Sequence, residues 1–163
     1  MKEKIERTGH SFAVEQLGQF DPSKKFSETG GVEYVFHGSF QKHVFDSVGT
    51  FIQFFILRFI EYVLVGVTSD QEIMKKFSIS KESGLSTKKE ILLTIYEFGQ
   101  KYIEELIEND EYETIVGYLL CDDGLIRVVS IVYEKDNNKI YCYCRKPRFW
   151  LAKEKIMLKV QKV

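Results

Sequence analysis

The chain has 163 residues, of which 44% are hydrophobic and 14% aromatic, and its formal net charge at pH 7 is −1. This length fits one domain of ordinary size, and the high apolar content with balanced charge argues against a disordered chain. The net charge near zero provides no global attraction for nucleic acid or for a membrane surface.

The cysteines are Cys121, Cys142 and Cys144. Secreted domains of this size usually pair their cysteines, and the first ten residues contain no apolar signal segment, so we expect a reducing, cytoplasmic compartment. A C-x-C pair is a weak zinc signature, and the usual C-x-x-C spacing is absent from the sequence. We therefore expect core cysteines and predict neither a metal nor a cofactor.

Residues 1–31 contain few apolar residues at regular spacing and several loop formers, among them Gly18 and Pro22. This pattern predicts an N-terminal arm, which either becomes ordered only against a partner or is a plain flexible terminus. Residues 32–163 are predicted to form a single domain.

The apolar segment 48–68 is long enough to cross a bilayer. Arg58 and Glu61 would then lie near the membrane centre, each at a cost of about 2.5–3.5 kcal/mol, so we expect no membrane span. Polar residues at helical spacing favour an apolar helix near residues 44–60, followed by a buried strand at residues 62–67. For 44–60 the choice between helix and strand stays open.

The clearest predicted element is an amphipathic helix over residues 88–108. Thr87 and Glu90 match a capping box, in which side chains satisfy backbone N–H groups at a helix start. Apolar residues then recur at helical spacing from Ile91 to Leu106, so the helix has an apolar face that fits against a sheet.

The C-terminal half contains β-rich segments separated by polar turns, at residues 113–121, 125–134, 139–145 and 155–160. They predict an antiparallel meander, although helix against strand stays open for residues 125–134. The predicted fold class is α+β, an antiparallel sheet with the 88–108 helix packed on one face.

Residues 145–163 contain seven basic side chains and one acidic one, and their first part mixes guanidinium groups with aromatic rings. Such a segment suits single-stranded nucleic acid, an acidic protein partner, or the carboxylate-rich stretch 102–123 of a second copy. It equally suits a solubilising edge strand that lysines protect from aggregation. The candidate partner-binding residues are Arg145, Lys146, Arg148, Phe149 and Trp150.

A second candidate site would bind an anionic ligand. Its residues are Asp122 and Asp123 in a predicted tight turn, Arg127 on the following strand, and His37. No P-loop, GxGxxG, GxSxG or HRD motif is present, so we name no catalytic residue.

The features at residues 77–134 occur in a distinct order. A loop leads into an aromatic-rich helix (FSISKESGLSTKKEILLTIYEFGQKYIEEL), then a short apolar strand (ETIVGYLL), then an acidic turn with an Arg-Val segment (DDGLIRVVSIVYEK). This order resembles a group of small, mostly uncharacterised bacteriophage proteins. The resemblance implies a layout like the acetyltransferase-type α+β fold without the acyl-CoA glycine loop, and no activity. The chain departs from the group at VVSIV, which favours a strand where the group tends to have a helix.

Three functional hypotheses follow. The first is a non-catalytic protein–protein interaction or assembly protein, encoded by a phage as the resemblance implies, and serving as a virion component or a host-interaction factor. Its location would be the host cytoplasm or the virion, and it would bind a protein partner or self-associate. The second is a small enzyme or anionic-ligand-binding domain. The third is a binder of single-stranded nucleic acid through the basic C-terminus.

Overall fold

A computed structural model describes residues 4–27, 32–102 and 112–159. Within these ranges the strands are β1 (Ile5–Phe20), β2 (Glu33–Phe36), β3 (Phe51–Leu64), β4 (Thr68–Ser69), β5 (Tyr112–Leu120), β6 (Ile126–Glu134), β7 (Lys139–Arg145), β8 (Phe149–Trp150) and β9 (Lys155–Lys159). The α-helices there are α1 (Pro22–Lys25), α2 (Gly38–Phe40), α3 (Asp70–Lys76) and α4 (Lys88–Glu97). π-Helical turns at Gln41–Phe45 and Phe98–Tyr102 extend α2 and α4. The fold is α+β, with a mixed sheet and few helices.

The described strands form a seven-stranded sheet in the order β1-β3-β9-β5-β6-β7-β2, and β4 pairs with β8 in a separate two-stranded ribbon. Strand β5 is parallel to β9, and β2 is parallel to β7. The remaining neighbours in the sheet are antiparallel. The central strands β5 and β9 bury side chains on both faces, which explains the apolar runs at residues 115–120 and 156–158.

Both faces of the sheet carry an apolar core. On the first face, α4 packs its fully buried Leu92, Leu93 and Ile95 against the sheet. On the second face, Ile73 of α3 and Trp150 of β8 pack against the sheet. The seven-stranded sheet is therefore the middle layer of the structure.

The three cysteines are buried and free. Burial raises the pKa of the Cys142 thiol well above its ordinary value, and burial also raises the pKa of Cys144 to about 12. These two side chains are therefore neutral thiols at physiological pH, which is the form that packs as a small apolar group.

The prediction of a helix near residues 44–60 is wrong for most of that segment. Residues 51–64 form β3, and only the turn Gln41–Phe45 is helical. Phe51, Leu57 and Phe59 are buried on the first face, as alternation along a strand requires. In such an apolar-rich segment, hydrophobic residues occur at the spacing of a helix and also at the spacing of a strand. Pairing with β1 selects the strand.

Residues 5–20 form an edge strand of the sheet rather than an irregular arm. Val14 and Phe20 of this strand are buried in the core. The sequence pattern is obscured because the register with β3 shifts between Arg7 and Ser11, where Gly9 has a φ of 95°. This bulge interrupts the alternation of apolar and polar residues by which a strand is recognised.

The helix predicted over residues 88–108 begins as expected, because both hydrogen bonds of the Thr87–Glu90 capping box are present. Its α-helical part ends at Glu97, and the π-helical turn continues the chain to Tyr102. The rest of the predicted helix lies outside the described residues.

The π-helical turn brings the backbone of Gly99 against Tyr34. A Cβ atom at Gly99 would overlap the hydroxyl of Tyr34, and it would lie 2.9 Å from the Cζ atom of that ring and 3.1 Å from Ile140 Cδ1. The Tyr34 hydroxyl also accepts a hydrogen bond from Gln100 Nε2 at 3.2 Å. A larger residue at position 99 would therefore force the Tyr34 ring to move.

We predict that Gly99→Ala lowers the free energy of unfolding by about 1–3 kcal/mol, since overpacking forces neighbouring groups to move. The matched control is Gly49→Ala, where an added Cβ would have open space and the expected change stays within about 0.5 kcal/mol. Urea denaturation followed by circular dichroism measures both. Equal stability of the two variants would contradict the prediction, because it would show that Tyr34 moves aside at no cost.

Candidate interaction surface

Asp70 is completely buried, and its carboxylate accepts four hydrogen bonds. Its Oδ1 atom accepts from the Tyr118 hydroxyl at 2.9 Å and from Trp150 Nε1 at 2.7 Å. Its Oδ2 atom accepts from Arg145 Nη1 at 3.1 Å and from the backbone N–H of Arg148 at 2.7 Å. A buried carboxylate is tolerated only when its oxygens are satisfied in this way, so the four donors are held together.

The position of Asp70 follows from the start of α3. Ser69 caps this helix by accepting a hydrogen bond from the backbone N–H of Glu72. Asp70 is therefore the first helical residue, and its backbone N–H donates to the carbonyl oxygen of Arg148 at 2.9 Å. The helix start is thus tied by backbone and side chain to the loop that joins β7 to β8.

The indole ring of Trp150 is further held by two guanidinium groups. The Cζ atoms of Arg145 and Arg148 lie 4.9 Å and 4.4 Å from the centroid of the ring. Such cation–π contacts add to the hydrogen bond that Trp150 donates to Asp70. Trp150 and Arg145 therefore serve to hold the β7–β8 loop against the sheet.

The outer face of the β4–β8 ribbon is apolar. Thr68 pairs with Trp150 in this ribbon, and both side chains are buried. Because side chains alternate along a strand, the neighbours of Trp150 point outward, and Phe149 and Leu151 are 68% and 65% exposed. Val65 and Val67, next to the other strand of the ribbon, are also exposed.

Three exposed basic residues lie close to this apolar group in the sequence. Lys146, Arg148 and Lys153 are exposed and, within the described part of the chain, none of them forms an ion pair. Two carboxylates lie nearby: Glu154 Oε2 accepts from the backbone N–H of Leu151 at 2.7 Å, and Glu72 pairs with Lys4 at 3.1 Å. We call this surface the apolar–basic patch, which consists of Val65, Val67, Phe149, Leu151, Lys146, Arg148 and Lys153.

The five residues predicted to bind a partner fall into two groups in the structure. Arg145 and Trp150 point inward to Asp70, whereas Lys146, Arg148 and Phe149 lie on the exposed surface. Sequence reasoning missed Leu151 and the two valines of the patch, as well as the buried hydrogen-bond centre at Asp70. The Ser69–Glu72 spacing marks a helix start, but nothing in it signals that Asp70 is buried.

The four residues predicted to bind an anionic ligand do not form one site. Asp123 accepts two hydrogen bonds from Arg127, at 2.9 Å and 2.7 Å, and this contact lowers the pKa of Asp123 to about 2. Asp122 instead lies 3.3 Å from Lys88. The charge of Arg127 is therefore already compensated within the chain.

His37 lies apart from this group. Its ring stacks on Tyr143, with 4.1 Å between centroids, beside the edge strand β2. A different histidine, His43, is close enough to Arg127 to respond to its charge. The pKa of His43 is lowered, first by burial and then by Arg127.

Two small cavities lie beside Gly117, one under α4 and one under the loop that precedes it. Each has a volume of about 10 Å³, which is about the room that a single water needs. Neither cavity accommodates a substrate.

The chain matches no protein-family model, no curated protein and no solved structure. Among the described residues, no helix has the length and apolar character needed to cross a membrane. In the same part of the chain, no three His, Cys, Asp or Glu side chains are grouped in a way that could hold a metal ion.

We predict that Asp70→Asn lowers the free energy of unfolding by about 3–5 kcal/mol, because it leaves Arg145 without its carboxylate and breaks the buried network. Trp150 is the single tryptophan of the chain, so its fluorescence reports directly on this site. We expect its emission to shift to longer wavelength in the variant.

Asp136→Asn is the control for this experiment, because Asp136 is exposed in the β6–β7 turn. We expect its effect to stay within about 0.5 kcal/mol. An Asp70→Asn protein with wild-type stability and emission would contradict the structural role of the carboxylate.

Alkaline pH provides a second test of the network. Burial, and then the charge of Asp70, raise the pKa of Tyr118 above its ordinary value of 10.0. The protonated phenol is favoured in the folded state, so its contribution is complete below pH 10 and is lost as pH rises above that value. In urea denaturation between pH 8 and 11, the stability of Tyr118→Phe should therefore fall less steeply than that of the wild type. An equal decrease of stability with pH in Tyr118→Phe and in the wild type would contradict the prediction.

Proposed function

We propose that this protein is a non-catalytic interaction or assembly protein that binds an acidic protein partner through the apolar–basic patch. The observation that carries the proposal is the exposure of Phe149 and Leu151 on a ribbon held by the buried Asp70. Large apolar side chains scattered singly over a surface are ordinary, but several on one face mark an interaction site.

The network behind the patch supports this proposal. Binding costs free energy when loops and side chains must become ordered, and a surface that is already held in place avoids part of that cost. The backbone of Arg148 and the indole of Trp150 are both fixed by hydrogen bonds to Asp70. Phe149 lies between these two residues, so its side chain projects from a fixed backbone.

The charge of the patch supports an acidic partner. Lys146, Arg148 and Lys153 flank Phe149 and Leu151 in the sequence and are exposed, and basic residues beside a binding surface accelerate association with a surface of opposite charge. Two copies of the patch would repel one another. Contact of the patch with the acidic stretch 102–123 of a second copy is one form of the proposal, and much of that stretch lies outside the described residues.

The other sequence hypotheses stay predictions. Origin in a bacteriophage, and a place in the virion or host cytoplasm, follow from the resemblance alone. An anionic-ligand site is less favoured, because Arg127 is paired with Asp123. Single-stranded nucleic acid would contact the same cations and stack on Phe149, so the test below includes it as a competing ligand.

The proposal is tested with a labelled peptide that alternates Asp or Glu with Phe or Leu, measured by fluorescence anisotropy at low and high salt. We expect binding that weakens with salt, and we expect Phe149→Asp to lower the affinity on the order of tenfold or more, as for a central interface residue. Leu125→Asp is the matched control, because Leu125 is another exposed apolar residue, in the β5–β6 turn. It should bind the peptide like the wild type.

Two results would overturn the proposal. One is an equal loss of peptide binding in Phe149→Asp and Leu125→Asp, which would show a non-specific effect of charge. The other is a preference for a probe of another class, either oligo-dT or vesicles of anionic phospholipid. Tighter binding of oligo-dT, also lost in Phe149→Asp, would favour the nucleic-acid hypothesis.

A further inference from the structure

Strand β1 forms one edge of the sheet, and only its first half carries features that prevent pairing with a strand of another molecule. An edge strand presents unpaired backbone N–H and C=O groups, and proteins protect such edges with bulges, charges and proline. In the first half of β1, Glu6 and Arg7 supply charges and the bulge near Gly9 breaks the register with β3. This half is therefore a poor template for another strand.

The second half of β1, residues 11–20, lacks these protections. Its sequence SFAVEQLGQF contains no lysine, arginine or proline, and Glu15 is its single charged residue. It pairs with β3 in unbroken register from Ser11, opposite Ile60, to Phe20, opposite Phe51. Ten consecutive residues thus form a nearly uncharged edge in unbroken register, with Gly18 at a φ of 141°.

This part of the sheet also projects beyond its neighbours. Strand β9 pairs with β3 only over residues 59–63, so residues 51–58 pair with β1 alone within the described part of the chain. We call residues 11–20 and 51–58 the projecting ribbon. Its first face is covered, with Phe12 stacked on Phe59 at 4.8 Å, whereas Ile52 and Ile56 on the second face are 67% and 64% exposed.

The lengths of the two sheet edges indicate which strand fits the open one. The opposite edge is β2, which has four residues (Glu33–Phe36) and carries an ion pair of 3.5 Å between Glu33 and Lys139. A head-to-tail contact of β1 with β2 would leave most of the ten-residue edge unpaired. The open side of β3 has eight residues (51–58), so among the described edges the same segment of another copy is the one that can pair with all ten.

We propose that residues 11–20 pair antiparallel with the same residues of a second copy across a twofold axis, so that two sheets become one. A contact of a surface with itself closes a dimer and does not propagate into a fibre. Electrostatic repulsion does not prevent this pairing. The two Glu15 carboxylates face each other in one register only, and in every other register Glu15 lies opposite an uncharged residue. The apolar–basic patch, whose charges are all positive, does not take part.

The test compares two variants that change charge equally. Glu15→Lys/Gln19→Lys places lysines at exposed positions of the edge, and Glu82→Lys/Gln71→Lys makes the same two exchanges at exposed positions elsewhere. Light scattering over a range of concentrations should give twice the chain mass of 19.1 kDa for the wild type and for the control. The edge variant should require at least about tenfold higher concentration to dimerise.

Hydrogen exchange locates the contact. Backbone amides within residues 11–20 that point away from β3 should become more protected as the concentration of the wild type rises, because antiparallel pairing gives these N–H groups an acceptor. Ile56→Lys distinguishes pairing of edges from packing of the exposed ribbon faces, and it should leave the dimer intact. Loss of the dimer in Ile56→Lys but not in the edge variant would overturn the proposal, as would a monomer at every concentration.

This inference does not rest on the proposed function. Phe149→Asp should retain the dimer even where it abolishes peptide binding, and the edge variant should retain peptide binding as a monomer. The two proposals can therefore fail separately.

Discussion

The buried carboxylate of Asp70 constrains one whole end of the structure. Removing a charged group from water costs several kcal/mol, and the cost is offset only when a counter-charge and hydrogen bonds surround the group. Tyr118, Trp150, Arg145 and the backbone of Arg148 meet this requirement together. They come from three strands and a loop, so one side chain holds α3, β5, β7 and β8 in a fixed relation.

The exposed surface follows from this constraint. Once the indole of Trp150 is turned inward to Asp70, alternation along β8 turns Phe149 and Leu151 outward. Burial of one aromatic ring and exposure of the next thus have a single cause. These exposed side chains are then presented by a backbone that cannot easily rearrange, which is the condition under which an apolar surface binds a partner without a large entropic cost.

The two proposed surfaces differ in the chemistry that each selects. The charged residues of the proposed apolar–basic patch are all basic, so it favours an acidic partner and opposes contact with itself. The edge at residues 11–20 is nearly uncharged and offers backbone groups, which pair with another strand whatever its side chains.

Local sequence determined those elements whose signals lie within a few residues. The capping box of Thr87 and Glu90 marked the start of α4, and polar turns separated the segments that became β5, β6 and β7. The choice between helix and strand at residues 51–64 needed β1, because an apolar-rich segment fits both periods until a partner strand is present. The sequence likewise identified the basic and aromatic character of residues 145–150, but not which of them are buried. Asp70 is 75 residues from Arg145 and 80 from Trp150. Only the tertiary structure brings them together, because burial of a charge depends on partners from distant parts of the chain.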